Sequence, residues 1–214
     1  MNVIYGIPVS PFVKKVIATL KLKGINYKIS PVMPHNLSNE FKRISHLGKI
    51  PAFKDEDIEL YDSAVICSYL DGKYPENSIY PTNNIKKALV LLFEQYAGSK
   101  LFELLAQGIF YERKLKTKFT GKPTDVTKVD NIIKKLLPPE LIYLESKLHD
   151  KYIVGDDITI ADFAIGSMFL NASYADYSID SNKYPKLALY LENLFKHKVF
   201  SEIIEDDKKL FASF

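Results

Sequence analysis

"HLGKIPAF", His46–Phe53, sets a glycine, a lysine and an Ile-Pro bond directly before a short apolar run. Pro51 has no N–H to give to a sheet ladder, and it pushes Ile50 towards extended backbone. The stretch therefore predicts the start of a strand with one backbone edge kept open. An extended ligand pairing with the backbone of Ile50 would use such an edge, a common route to peptide binding. Lys49 beside it could then meet a terminal carboxylate, although a lysine in a loop is more often simply solvated.

Upstream, "NVIYGIP" reads as a buried strand and "SPFVKKVIATLKLKG" as a helix ending at Gly24. "INYKISPV" is a second strand, and "SNEFKRISHL" a short helix or irregular segment capped by Ser38. Downstream, "PAFKDEDIEL" predicts a hairpin, Ala52–Lys54 and Ile58–Leu60, turning at Asp55–Asp57. "DSAVICSYLDGKY" then opens a helix at Asp62 or Ser63. The order β-α-β, α, β-β, α begins with what a crossover between parallel strands requires.

Composition shifts at "PENSIYPTNN", Pro75–Asn84, which marks the domain boundary. The division expected is 1–76, a linker 77–84, and an all-helical 85–214. Ile85–Leu115 reads as one long helix with Gly98 as its point of bending. Val129–Asp150, Thr159–Asp176 and Pro185–His197 read as further helices, and "FSEIIEDDKKLFASF" closes the chain.

The whole has 214 residues, 47% hydrophobic and 26% charged, an ordinary globular composition. A net charge of +3 names no partner. The single cysteine, Cys67, excludes an intrachain disulfide and a cysteine-based zinc site, and its apolar surroundings read as core. The N-terminus lacks a signal peptide's basic start and cleavage site, and no run approaches the ~18 apolar residues of a membrane span. The reading is a cytoplasmic protein.

Four further stretches carry chemistry or capping. In "VSPFVKK", Ser10 precedes Pro11 at a helix start, the ordinary N-cap and N1 pairing; a hydroxyl at that positive end could equally serve an anion. In "DSAVICSYL", Asp62 and Ser63 cap a helix or hold the ammonium and carboxylate of an amino-acid head. In "GDDITIADF", Thr159 and Asp162 have capping-box spacing, read as structural. "ERKLKTKFTGK" gathers Arg113, Lys114, Lys116, Lys118 and Lys122; a solvated loop is the plainer reading than an anion site, so neither nucleic acid nor membrane is expected as a partner.

Taken together and in this order, "SPF" with its following lysines, "GKIP", "DSAVI..YL" and "GDDITIADF" resemble the cytosolic glutathione transferases, over essentially the whole chain. That resemblance implies a thioredoxin-like N-terminal domain, an all-helical second domain and an occupant for the open edge, the tripeptide glutathione. It implies Ser10 as the hydroxyl holding the glutathione thiolate, and Ile50 as the backbone partner of the cysteinyl part ahead of a cis Pro51. Asp62 and Ser63 would bind the γ-glutamyl head and Lys49 the glycyl carboxylate. A small hydrophobic electrophile would meet Phe102, Leu105, Phe110 and Tyr111 of the long helix, with Pro8 and Phe12 from the first domain; core packing is the competing role for each. A homodimer is implied, with glutathione as co-substrate and no metal or other cofactor. The chain departs from the family in Asp62, where glutamate is commoner, in "SHL" before the glycine, and in Lys15 for arginine. It also lacks the cysteine-bearing first helix of the redox-type members and the serine- and cysteine-rich motif of maleylacetoacetate isomerases. The rival functions are a non-catalytic binding or regulatory protein on the same fold and a glutathione-dependent peroxidase or reductase.

Overall fold

The computed structural model describes residues 1–33 and 37–212. Two compact units make up the chain: residues 1–80 with the chain from His197 onward, and Pro81–Lys196.

The first unit is built on a four-stranded mixed sheet in the order β2-β1-β3-β4. Strand β1 (Asn2–Tyr5) leads into α1 (Pro11–Leu22) and then β2 (Tyr27–Ser30), which lies parallel to β1 with Ile4 opposite Ile29. After α2 (Asn39–Ile44), β3 (Ala52–Lys54) and β4 (Glu59–Tyr61) form the expected hairpin, one residue later in its second strand. The acidic turn closes because Asp55 accepts from the N–H groups of Asp57 and Ile58 at 2.8 and 3.0 Å. Helix α3 (Ser63–Lys73) packs on α1. Ile4, Val13, Val16, Leu20, Phe53, Ile66 and Leu70 are buried and supply the core. Cys67 is buried as well and accepts from the Thr19 hydroxyl.

The opening expectation needs one correction. β3 is not an edge strand, for β1 pairs with it on one side and β4 on the other. The open backbone lies one step earlier. Ladder pairing stops at Ala52, and the N–H and C=O of Ile50 are engaged by neither neighbour. Ile50–Pro51 is cis.

In the second unit, α4 (Asn84–Tyr96) continues as a π-type segment, Ala97–Leu115, and ends with α5 (Lys116–Thr120). The hydrogen-bonding pattern changes at Ala97, next to Gly98. Then come α6 (Val126–Asn131), a second π-type segment Ile132–Leu136, and α7 (Leu137–Lys147). Pro138 and Pro139 lack the N–H groups that an α-helix would aim back at residues 134 and 135, which accounts for the altered turn there. Helix α8 (Ile160–Tyr174) is buried from Ile160 through Ala172, as a helix apolar on every side must be, and packs against α4, the long π-type segment and α9 (Pro185–Lys196).

The last helix packs with the sheet-bearing unit. Helix α10 (Lys198–Ala212) belongs to the first unit, although its sequence follows the helical region. It buries Val199, Phe200 and Ile203, and Lys21 of α1 pairs with its Glu202 and Asp206 at 3.2 and 3.1 Å. Ser213 and Phe214, part of the expected last helix, lie outside the described residues. No helix among the described residues is long and apolar enough to cross a membrane.

Candidate active site

The strand register gathers three chain segments at one edge of the sheet. Tyr5, Ala52 and Tyr61 form the last cross-sheet row. β1 and β4 leave the sheet at that row and β3 begins there, so Gly6–Ser10, Ile50–Pro51 and Asp62–Ser63 all emerge together. Gly6 makes the close approach of the first two possible. With φ 154° it has a backbone few other residues adopt, and a Cβ there would lie 2.7 Å from Val13 Cγ2 and 3.3 Å from Ile50 Cβ.

Ser10 stands at the N-cap of α1 with φ −71° and ψ 126°, and Pro11 follows at the first helical position. Its carbonyl accepts from Lys14 N at 2.9 Å. Its hydroxyl makes no capping hydrogen bond. The capping role that such a serine ordinarily plays is left unused, and a half-buried hydroxyl remains at the positive end of a twelve-residue helix.

Asp62 behaves in the opposite way. Its carboxylate accepts from Ala64 N at 2.8 Å, an N-cap made in full. The residue does so at φ 73° and ψ 122°, a conformation that costs a non-glycine residue about 1–3 kcal/mol. Ser63 beside it is buried, while the Asp62 carboxylate stays exposed.

Sequence reading missed the residue that shapes the third segment. Ser45, fully buried, donates its hydroxyl to Lys49 O at 2.8 Å and accepts from Lys49 N at 3.1 Å. Gly48, at φ 64°, donates to Ser45 O at 2.9 Å and closes the turn. The S-x-x-G spacing was the available signal. Lys49 itself is exposed and Ile50 half-buried.

The remaining expected residues divide by burial. Leu105 and Phe110 are 0% and 2% exposed and act as core. Pro8, Phe12, Phe102 and Tyr111 are each half-buried. The basic stretch is helical through Thr120 rather than a loop, and three of its charges are engaged: Arg113 donates to Ala175 O, Lys114 pairs with Asp176, and Lys116 with Glu112. Thr159 and Asp162 form the capping box, and the buried Asp162 carboxylate also accepts from Ile153 N and the Tyr190 hydroxyl.

Comparison with known proteins identifies the family. The family model for the glutathione S-transferase N-terminal domain matches residues 4–78, and that for the C-terminal domain residues 110–205. A glutathione S-transferase of Hyoscyamus muticus is 29% identical over 210 residues, covering 94% of this chain and 97% of its own. Glutathione S-transferase 1 of Manduca sexta is 28% identical over 213 residues, covering 93% and 90%. The solved structure of glutathione S-transferase isozyme E7 from Drosophila melanogaster superposes with a TM-score of 0.82 at 26% identity, covering 100% of this chain and 95% of its own. The mixed sheet with its helices is thus the thioredoxin-like domain, the remainder the helical one, and the chain belongs to the glutathione S-transferase family.

Proposed function

We propose that the protein conjugates glutathione, as its thiolate, to a small hydrophobic electrophile, with Ser10 as the catalytic hydroxyl. The observation that carries this reading is the uncommitted Ser10 hydroxyl at the α1 N-terminus, on the sheet edge it shares with Ile50 and Ser63. The Ile50 backbone pairs with the cysteinyl part of glutathione. Asp62 and the α3 N-terminus at Ser63 hold the γ-glutamyl ammonium and carboxylate, and Lys49 the glycyl carboxylate. Pro8 and Phe12 flank Ser10 and offer apolar contact to the electrophile.

The energetics are sufficient. A free thiol titrates near about 8.5, and lowering that by about two units requires ~2.7 kcal/mol of preference for the anion. A helix N-terminus contributes about 0.3–1 kcal/mol and a hydroxyl hydrogen bond to a charged sulfur about 1.5–3 kcal/mol. Holding the thiolate beside the electrophile supplies much of the remaining acceleration.

A homodimer in the cytoplasm is part of the same proposal. Ile85, Leu89 and Leu92 form one stripe on α4 and are 74%, 42% and 52% exposed, more apolar surface than a lone helix face usually leaves to water.

The test is the titration of bound glutathione, followed by thiolate ultraviolet absorbance against pH. In wild type it should lie well below that of free glutathione. Ser10→Ala should return it towards about 8.5 with little change in glutathione affinity, and conjugation at neutral pH should fall about tenfold for each ~1.4 kcal/mol of lost anion stabilisation. A wild type whose bound thiol titrates like the free one would make the protein a glutathione-binding module instead.

A further inference from the structure

One turn after Ser10, α1 carries a fully buried lysine that the proposed chemistry does not use. The Lys14 ammonium donates to the carbonyl of Pro8 at 2.6 Å and lies 2.9 Å from Asp207 on α10, 193 residues away in sequence. The carbonyl it grips belongs to the turn that ends in Ser10, in which Ser10 N donates to Ile7 O at 3.0 Å. A buried ammonium is costly unless paired, and apolar side chains of the same volume would fill this space as well or better. What the charge adds here is a donor aimed at the loop that presents the catalytic hydroxyl.

We infer that Lys14 and Asp207 are a positioning pair: Asp207 holds the buried ammonium, and the ammonium fixes the Pro8–Ser10 turn. The last helix is thereby part of the machinery that sets where the Ser10 hydroxyl points. The inference rests on the proposed role of Ser10. Burial pulls the Lys14 pKa below its ordinary value, and the nearby Asp207 charge opposes that pull. The pair is not the only tie between α1 and α10, because Lys21 bridges to Glu202 and Asp206 independently. Removing it therefore leaves the helices other means of docking.

The experiment is a double variant, Lys14→Met with Asp207→Leu, an exchange of an ion pair for apolar groups that is often neutral or stabilising. Its bound glutathione should titrate about one pH unit higher than in wild type, with conjugation at neutral pH down about tenfold. The glutathione dissociation constant should stay within about twofold, since the peptide contacts are intact. Amide hydrogen exchange should quicken at Ser10 while α8 keeps its protection, a local pattern that general destabilisation does not produce. Asp207→Asn, which keeps the side-chain shape and the Lys14 amine, should shift titration and exchange in the same direction by less. Titration and exchange at wild-type values in both variants overturn the inference and leave Ser10's role standing, provided Ser10→Ala still abolishes the depressed titration. A wild type with no depressed titration overturns both.

Discussion

Ser45 and Lys49 hold each other at two points, the hydroxyl of one donating to the carbonyl and accepting from the N–H of the other, at 2.8 and 3.1 Å. This clamp shapes the turn that leads through Lys49 and Ile50 into β3. Ser45→Ala should loosen it, costing about 1 kcal/mol. The Michaelis constant for glutathione should then rise about fivefold with turnover nearly kept. Steady-state kinetics with glutathione varied would check this, and an unchanged constant would show that the turn holds without Ser45.

Asp62 combines a cap with a proposed charge, and two substitutions separate them. Asp62→Asn keeps an oxygen for Ala64 N and suits a positive φ, so thermal stability should hold. Glutathione binding should nonetheless weaken by about 1.5–3 kcal/mol, roughly ten- to a hundredfold, through the lost carboxylate. Asp62→Ala should lose stability as well. Calorimetric glutathione titration beside a melting curve distinguishes the two. Equal affinity in the asparagine variant would remove Asp62 from the head-group site.

Thr159 and Asp162 belong to folding. The Asp162 carboxylate accepts from Thr159 N and Oγ1 and from Tyr190 Oη, each at 2.8 Å. Thr159→Ala should cost about 1 kcal/mol and Tyr190→Phe about 1–3 kcal/mol, in denaturant midpoints. Glutathione affinity should stay at the wild-type value in both. A loss of affinity with full stability would contradict this assignment.

Glu112 predicts the acid limit of stability. It is buried on the long helix and accepts from Lys116 and Lys128, both at 2.8 Å. Burial works to raise its pKa, but those two ammonium groups and Asp125 N–H outweigh burial and hold it at about 2, below the ordinary 4.5. Because the folded-state value is the lower one, the stabilisation is complete above pH 4.5 and is lost as pH falls towards about 2. The melting temperature should drop through that window. Glu112→Gln should melt lower at neutral pH and depend less on acid. Identical acid profiles for the two proteins would place the sensitivity elsewhere.

The α4 stripe predicts the oligomeric state. Ile85→Glu with Leu92→Glu should convert the proposed homodimer to monomer in sedimentation, since a charge in an apolar interface core is costly. A wild type that sediments as a monomer would refute the dimer directly.

What the sequence determined by itself was local in origin. Ser38 accepts from Phe41 N, Thr159 and Asp162 form their box, and Asp55 closes its turn, because each partner lies within about four residues and capping rules are short-range. The segments of the candidate site were legible for the same reason: glycine, X-Pro and helix-start residues announce themselves wherever they occur. Whether a capping residue spends its side chain was not legible. Ser10 and Asp62 begin helices alike, yet only Asp62 caps, because the rotamer depends on what the surrounding backbone presents. The tertiary structure alone decided that β3 is central, which follows from both β1 and β4 pairing with it. It alone brought α10 back onto α1, because the burial of Val199, Phe200 and Ile203 is a long-range packing term that no local spacing announces, and only the folded chain sets Asp207 beside Lys14.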